Sequence, residues 1–201
     1  MCVRQWALIT PNSFIPSAWV ERFVDLIPRD LPHAKRVLDY ACGSGRHLEL
    51  LSKKGFPSLG VDRDQNAIAT FQASLIPNLL APIELRIQDL EQAEFAIAQG
   101  EQFAGIVVTN YLHRPHLAQL LTRLAPRGVL IYETFSEGNQ VYGSPLNPDF
   151  LLRDNELITW VMAAKDFRII AFEHLQIEVP KTAIVQRICA VRLSESATIP
   201  L

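Results

Sequence analysis

A glycine-containing loop and two carboxylates near it form the strongest chemical pattern in the sequence. The segment Asp39-Tyr40-Ala41-Cys42-Gly43-Ser44-Gly45 follows a short apolar run, and Asp62 stands at the end of the next apolar run. Glycines let a backbone turn sharply and come close to a ligand that a Cβ would obstruct. A carboxylate at the following strand end can accept hydrogen bonds from a ribose diol. The pattern predicts a site for an adenosine-containing cofactor; the alternative is a plain tight turn with Asp62 capping a helix.

The residues around the loop discriminate between cofactors. A nicotinamide fingerprint requires a glycine three residues after Gly45, where Leu48 stands. Asp39 puts a negative charge beside the loop, which disfavours pyrophosphate and suits a cation such as the ammonium or sulfonium of S-adenosylmethionine. No Gly-Lys-[Ser/Thr] phosphate loop occurs, and Ser44 follows a cysteine where a hydrolase nucleophile elbow needs glycine. S-adenosylmethionine is therefore the expected cofactor, and a nicotinamide-dependent oxidoreductase is the disfavoured alternative.

Apolar runs alternate with helical patterns almost throughout, which is typical of a parallel sheet wrapped by helices. We expect an α/β fold: a doubly wound, seven-stranded, mostly parallel sheet with a C-terminal antiparallel hairpin. The predicted strands are 36–40, 58–62, 83–87, 103–109, 129–134, 168–178 and 183–193. The predicted helices are 17–27, one from the loop to 54, 65–73, 90–99, 117–124 and one with Leu157, Ile158, Val161 and Met162 inward. Ligands of such folds bind beyond the carboxyl ends of the strands.

Composition limits the class of protein. The 201 residues suit a single domain, 1–201, with an N-terminal helical segment over 1–34. The net charge of −2 is spread evenly, so a broad basic footprint for nucleic acid or lipid is absent. Three cysteines without a close pair and the lack of a convincing signal peptide predict a reducing, cytoplasmic location. No apolar run is long enough to span a membrane. His113 and His116 lack a third metal ligand nearby, so we expect no metal site.

The motifs carry a family resemblance. Residues 37–47, followed by Leu59-Gly60-Val61-Asp62-Arg63-Asp64, resemble motifs I and II of class I S-adenosylmethionine-dependent methyltransferases, in particular the tellurite-resistance (TehB-like) and related small bacterial members. The resemblance covers nearly the whole chain and departs at Ala41, where many members have glycine. It implies that Asp39 and the backbone of 41–45 hold the methionine part of the cofactor and that Asp62 holds the ribose. The cofactor-binding residues it implies are Asp39, Ala41, Gly43, Gly45, Asp62, Arg63, Asp89, Leu90 and Asn110.

Two of these residues have structural alternatives. The resemblance gives Asp89 a hydrogen bond from the adenine amino group, whereas a helix starting at Leu90 would make Asp89 its cap. Asn110 would contact the cofactor near the methyl group, or it closes the end of its strand by bonding backbone. Both positions follow predicted strands, so both lie at the expected ligand-binding edge.

Candidate catalytic residues lie at the ends of the fourth and fifth strands, in Asn110-Tyr111-Leu112-His113-Arg114-Pro115 and in Tyr132-Glu133-Thr134-Phe135. Methyl transfer is an in-line displacement from a good leaving group, so a base is needed only if the acceptor must lose a proton. His113 is the candidate base because imidazole titrates near neutral pH, and Tyr111 is a second candidate. A histidine that caps the next helix is the alternative for His113.

The segment 135–150 is rich in Gly, Asn and Pro and is a candidate lid over the acceptor, with Tyr142 and Phe150 as its aromatic contacts. A surface loop whose aromatics pack downward is the alternative. The near-neutral charge favours a small-molecule acceptor, with oxygen, nitrogen, sulfur or a metalloid as the methylated atom. An RNA or other nucleic-acid methyltransferase, and a non-catalytic cofactor-binding module that assists a partner, are the competing hypotheses.

Overall fold

A computed structural model describes residues 15–75 and 79–194 of the chain. The strands are β1 (Val37–Tyr40), β2 (Ser58–Asp62), β3 (Ile83–Ile87), β4 (Phe103–Thr109), β5 (Leu124–Phe135), β6 (Phe167–Ile177) and β7 (Ala183–Arg192). The helices are α1 (Ala18–Phe23), α2 (Arg46–Lys53), α3 (Gln65–Ser74), α4 (Leu117–Thr122) and α5 (Glu156–Ala163), with short 3-10 turns between them. Residues 1–14 of the predicted N-terminal segment lie outside the described part.

The seven strands form one sheet in the order β3-β2-β1-β4-β5-β7-β6. Strands β1 to β5 pair in parallel, whereas β7 is antiparallel to both β5 and β6. The order reverses between β1 and β4, and in doubly wound sheets ligands bind beyond the carboxyl ends of the strands at such a reversal. The predicted fold class is thereby confirmed, including the C-terminal hairpin.

The sheet is covered on both faces because its central strands are apolar on both sides. On one face, α1 and α2 bury Trp19, Val20 and Leu51 against β1, β4 and β5. On the other face, α4 and α5 bury Leu120 and Leu157 against the same strands. Strands β1, β4 and β5 are therefore held from both sides by packed helices.

The predicted helix over 90–99 is wrong: this segment consists of turns and bends. Its carbonyls bond to side chains instead of to helical N–H groups, with Leu90 O accepting from Tyr111 Oη at 3.2 Å and Ile97 O accepting from Arg123 Nε at 3.3 Å. The adjacent Ala96 and Ile97 are both buried. Tertiary contacts therefore override the local helical preference of this stretch.

Several boundaries also differ from the sequence prediction, and the predicted helix 17–27 is α-helical only to Phe23, with a 3-10 turn over Val24–Leu26. Helix α4 ends at Thr122, and β5 begins at Leu124 rather than at Val129. The register moves from Phe103↔Leu124 to Gly105↔Val129, so the intervening residues of β5 form a bulge that apolar periodicity does not reveal. Met162, predicted to face inward, is 64% exposed, because α5 buries Leu157 and Val161 and turns Met162 outward.

Among the described residues, no helix combines the length and the apolar character that a membrane crossing requires.

Candidate cofactor and active site

The loop between β1 and α2 holds three residues in the left-handed backbone region: Ala41, Gly43 and Gly45, with φ of 65°, 53° and 75°. A Cβ on Gly43 would meet none of the described residues within 4 Å, so among them the space beside Gly43 is open to a ligand. A Cβ on Gly45 would lie 2.5 Å from the ring of Phe71, which gives this glycine a packing reason of its own. A ligand can therefore approach the backbone at Gly43, whereas Gly45 allows α2 to pack closely against α3.

Asp62 ties the loop to the end of β2. Its Oδ2 accepts the backbone N–H of Gly43 at 2.7 Å, and its Oδ1 accepts the N–H of Asp64 at 3.0 Å. The side chain of Asp64, in turn, caps α3 by accepting the N–H groups of Asn66 and Ala67. Asp64 is thus the cap of α3, whereas Asp62 accepts hydrogen bonds from the backbone of Gly43 and Asp64.

Asp39 is 1% exposed at the end of β1, and its Oδ2 has no hydrogen-bond partner among the described residues. Burial raises the pKa of Asp39 to about 7; the charge of Arg46 opposes this shift and that of Asp62 adds to it. A buried carboxylate oxygen without a donor is costly, so its presence marks a place where a ligand can supply one.

His47, in the first turn of α2, lies between Asp39 and the N-terminal segment. Its Nδ1 is 3.9 Å from Asp39 Oδ1, and its Nε2 accepts the backbone N–H of Ser17 at 3.1 Å. Burial, together with the charge of Arg46, holds the pKa of His47 well below its usual value. The ring is therefore neutral at physiological pH.

A row of charged and polar side chains extends from Asp39 and His47 across the sheet. Arg46 Nη2 donates to Thr109 Oγ1 at 3.3 Å, and the Arg46 charge also interacts with Glu133. Arg187 bridges Glu133 and Glu173, with distances of 3.3 Å from Nη1 to Oε2 of the first and 2.7 Å from Nε to Oε2 of the second. Pairing of Thr109 with Glu133, and of Glu133 with Arg187, puts these side chains in one row of the sheet.

Asp89 and Arg63 follow β3 and β2 at the same edge. Asp89 Oδ1 accepts the N–H of Glu91 at 3.0 Å, and Arg63 Nη1 lies 3.8 Å from Asp89 Oδ1 and 3.2 Å from Glu91 Oε2. Asp89 makes this bond within a turn rather than at a helix end, and its side chain is 39% exposed. Leu90, between the two carboxylates, is buried.

Tyr111 and His113 follow β4. Tyr111 is buried, its phenol donates to Leu90 O, and its ring contacts that of Tyr40 edge-on at 5.6 Å. His113 is partly exposed and packs edge-on against His116 at 4.6 Å. Burial and His116 lower the pKa of His113, although the charges of Glu91 and Asp89 oppose the shift. His113 is thus a neutral imidazole beside the carboxylates.

Asn110 is exposed and has a left-handed backbone, with φ of 54°. Its N–H donates to the carbonyl of Glu133 at 2.9 Å, which joins the ends of β4 and β5. The strand end is therefore closed by the backbone of Asn110.

The candidate lid, 135–150, is anchored at several points. Asn139 is buried, and its Oδ1 accepts the N–H of Ile184 at 3.1 Å. The hydroxyl of Tyr142 donates to Gln176 Oε1 at 2.7 Å, and Tyr142 itself is 42% exposed. The first half of the segment thus lies on the β6–β7 hairpin.

Arg114 fastens the far end of the same segment. Its guanidinium donates to both carboxylate oxygens of Glu156, at 2.6 and 2.8 Å. It also donates to the carbonyls of Asp149 and Leu151, at 2.6 and 2.7 Å. The loop after β4 and the segment after β5 are consequently joined by one side chain.

Ser136, His174 and Asp154 form a hydrogen-bonded chain with the geometry of a hydrolase triad. Ser136 Oγ lies 2.8 Å from His174 Nε2, and His174 Nδ1 lies 3.1 Å from Asp154 Oδ1. However, Ser136 is fully buried, and its backbone N–H donates to the carbonyl of Ile184. A buried hydroxyl cannot attack a substrate, so this chain fixes the start of the 135–150 segment on β6.

The sequence prediction placed Glu133 in a candidate catalytic stretch without giving it a role, and it did not include Arg46 or His47 among the site residues. Glu133 had a recognisable signal, because a carboxylate at the end of the apolar stretch Leu130-Ile131-Tyr132 must find partners when buried. His47 and Arg46 had no such signal, since the first turn of a helix is a common place for solvated polar residues.

Comparison with known proteins agrees with this geometry. Residues 12–178 match the family model described as a methyltransferase domain. TehB from Haemophilus influenzae has a TM-score of 0.65 at 20% identity, over 87% of this chain and 62% of that chain. A Methanosarcina mazei S-adenosylmethionine-dependent methyltransferase has a TM-score of 0.63 at 17% identity, over 90% and 100%. Magnesium protoporphyrin IX methyltransferase from Synechocystis, solved with bound S-adenosylmethionine, has a TM-score of 0.59 at 15% identity, over 87% and 77%.

The family match, together with the fold and the loop after β1, identifies the chain as a class I methyltransferase, an enzyme that uses S-adenosylmethionine. The chain belongs to the methyltransferase domain family, whose model covers most of its length. It spans less than two thirds of the Haemophilus influenzae protein. No curated protein sequence matches the chain significantly.

Proposed function

We propose that this enzyme transfers the methyl group of S-adenosylmethionine to a small-molecule acceptor, with Asp39 as the anchor of the methionine part. The observation that carries the assignment of the site is Asp39 Oδ2, which is buried and lacks a partner among the described residues. The ammonium group of the cofactor is a donor of matching charge for this oxygen. The residues present therefore fit the cofactor.

The other contacts follow the edge of the sheet. Gly43 would let the backbone of the loop approach the methionine part, together with Ala41 and Gly45. Asp62 would accept a ribose hydroxyl in addition to its two backbone bonds, since a carboxylate has about four lone-pair sites. Farther along the edge, the adenine end would lie against Asp89, Leu90 and Arg63, and the methyl end near Asn110.

When bound, S-adenosylmethionine supplies an electrophilic methyl group on a good leaving group. The protein's own contribution is to orient the acceptor and to exclude water at the ends of β4 and β5. His113 is the proposed base because it is neutral, partly exposed and able to take a proton at a ring nitrogen. Tyr111, whose phenol is bonded to Leu90 O, would contribute the wall of the site beside it.

The distribution of charge supports a small-molecule acceptor over a nucleic acid. Arginines bind phosphates through the same N–H donors that bind carboxylates, so a paired arginine is a poor phosphate ligand. Ion pairs with carboxylates are formed by Arg22, Arg36, Arg63, Arg86, Arg114, Arg127, Arg187 and Arg192. Within the described part of the chain, the space beside Gly43 is open and Asp39 Oδ2 has no partner, which also argues against a module whose cofactor site is plugged.

The test begins with calorimetric titration of the purified protein with S-adenosylhomocysteine, with NAD as the control ligand. We expect saturable binding of S-adenosylhomocysteine alone, and weaker binding by Asp39→Asn. The tritiated methyl group of S-adenosylmethionine should then label a low-molecular-mass metabolite fraction and leave the RNA and protein fractions unlabelled. Labelling of RNA would replace the small-molecule proposal, and binding without transfer to any fraction would favour the module.

A further inference from the structure

The segment Ile15–Ser17 is docked directly on the residues that surround Asp39. The carbonyl of Ile15 accepts from Arg46 Nη1 at 3.3 Å, and the N–H of Ser17 donates to His47 Nε2 at 3.1 Å. The hydroxyl of Ser17 donates to Glu133 Oε1 at 2.8 Å. Three contacts therefore connect this short segment to the proposed cofactor site.

The contact at His47 Nε2 determines where the proton of the ring resides. A neutral imidazole has one donor nitrogen and one acceptor nitrogen. Because Nε2 accepts the N–H of Ser17, Nδ1 carries the hydrogen. That N–H lies 3.9 Å from Asp39 Oδ1, which is longer than a hydrogen bond but close enough for an electrostatic interaction in a buried site.

We propose that His47 is a positioning residue that couples the docking of Ile15–Ser17 to cofactor binding, by presenting Nδ1–H to one oxygen of Asp39 and leaving the other for the cofactor. The inference rests on the proposed role of Asp39. When Ser17 is docked, the positive end of the Nδ1–H bond faces Asp39 and stabilises its ionised form. When Ser17 is undocked, the ring can carry its proton on Nε2, and the lone pair of Nδ1 would then repel the carboxylate.

Docking and binding must therefore strengthen each other, because coupling between two sites is reciprocal. The charged groups around the pair are Arg46 on α2, Asp62 on β2 and Glu133 on β5. Arg46 attracts the carboxylates of Asp39 and Glu133 and the carbonyl of Ile15. It therefore supports the docked arrangement but does not determine the ring tautomer. The choice of tautomer belongs to Ser17.

The decisive comparison is Ser17→Pro with Ser17→Ala. Both variants lose the hydroxyl, and only proline also loses the N–H. The backbone of Ser17 has φ of −62°, which proline adopts without strain. We expect S-adenosylhomocysteine to bind Ser17→Pro about tenfold more weakly than Ser17→Ala, the size of effect that loss of one hydrogen bond with a buried partner produces.

The ring itself provides a second readout. The ¹⁵N shifts of His47 should show the Nδ1–H tautomer in the unaltered protein and in Ser17→Ala, and a shift toward Nε2–H in Ser17→Pro. As a test that does not alter residue 17, His47→Gln should also weaken binding about tenfold. Ser52→Ala is its matched control, because Ser52 is buried on the same helix but bonds to Ala81.

Equal affinities of Ser17→Pro and Ser17→Ala, or an Nε2–H ring in the unaltered protein, would overturn the coupling and leave the cofactor assignment intact. No binding by the unaltered protein would overturn the proposed function, and with it the coupling.

Discussion

The Oδ2 atom of Asp62 accepts the backbone N–H of Gly43 at 2.7 Å, although the two residues are 19 positions apart. The end of β2 thereby holds the turn that follows β1, and the same carboxylate is the proposed ribose ligand. Asp62 is fully buried, so loss of one of its two oxygens would leave either the loop or the ligand without an acceptor.

Asp62→Asn should weaken S-adenosylhomocysteine binding by about 1–3 kcal/mol, because an amide offers one acceptor where the carboxylate offers two. The measurement is calorimetric titration, with thermal unfolding to verify the fold. Asp64→Ala is the matched control: it removes the α3 cap, should cost about 1 kcal/mol of stability, and should leave affinity unchanged. Unchanged affinity in a folded Asp62→Asn protein would remove Asp62 from the site.

Asp39 predicts a pH dependence of stability. Its pKa is raised by burial from 3.8 to about 7, so the folded protein binds a proton that the unfolded chain has released between these values. The free energy of unfolding should therefore decrease as pH rises from about 4 to 7, at a rate of at most about 1.4 kcal/mol per pH unit from this group, and level off above. Asp39→Asn should remove this slope in urea unfolding curves, whereas an unaltered slope would contradict the assignment.

The same residue predicts proton release on cofactor binding. An ammonium ligand favours ionised Asp39, so below pH 7 binding must expel its proton, and the affinity should increase with pH toward 7. Calorimetry at about pH 6 in buffers of different ionisation enthalpy should detect the released proton. Asp39 is the group expected to release it, since burial holds the pKa of His47 well below its usual value. Equal apparent enthalpies in all buffers would exclude the linkage.

Ala41 has φ of 65°, a backbone conformation that costs an L-residue about 1–2 kcal/mol and costs glycine almost nothing. Ala41→Gly should therefore stabilise the protein, with a net gain of about 0.5 kcal/mol after the greater freedom of glycine in the unfolded chain is subtracted. Urea denaturation measures this gain. Ala69→Gly, at an exposed position inside α3, should instead cost about 1 kcal/mol. A loss of stability in Ala41→Gly would refute the strain argument.

Arg114→Ala should release the 148–156 segment, because four hydrogen bonds to Glu156, Asp149 and Leu151 are lost together. We expect faster proteolytic cleavage within 137–155 and a lower kcat, while affinity for S-adenosylhomocysteine remains. Arg123→Ala is the control, since Arg123 bonds to Thr122 on α4 and to Ile97 in the turns before β4. An unchanged cleavage rate would show that the anchors at Asn139 and Tyr142 suffice.

The sheet was predicted well because its strands appear in the sequence as local apolar runs. The apolar runs of β1, β2 and β4 occur where the structure has them, and Ser17 and Asp64, residue types typical of helix caps, cap α1 and α3. The predicted site residues Asp39 and Asp62 lie near the ends of β1 and β2, and Asp89 follows β3; parallel pairing brings these strand ends to one edge.

The remaining features depend on contacts between distant residues. The stretch after Asp89 resembles a helix in composition, but Leu90 O and Ile97 O are taken by side chains of Tyr111 and Arg123. Similarly, His47 gains its role only when Ser17 lies against it, 30 positions away. A pattern of residue types contains no information about such partners.

The bridge from Arg187 to Glu133 has a consequence for the order in which a growing chain can become competent. The loops with Asp39, Gly43 and Asp62 leave the ribosome first, whereas Arg187 belongs to β7, which is synthesised much later and inserts between β5 and β6. A nascent chain that ends before residue 183 contains every proposed cofactor ligand, yet β5 is then an open edge and Glu133 lacks its arginine. Capture of the cofactor should accordingly begin only once β7 has emerged, and the bound ligand would report completion of the sheet during translation.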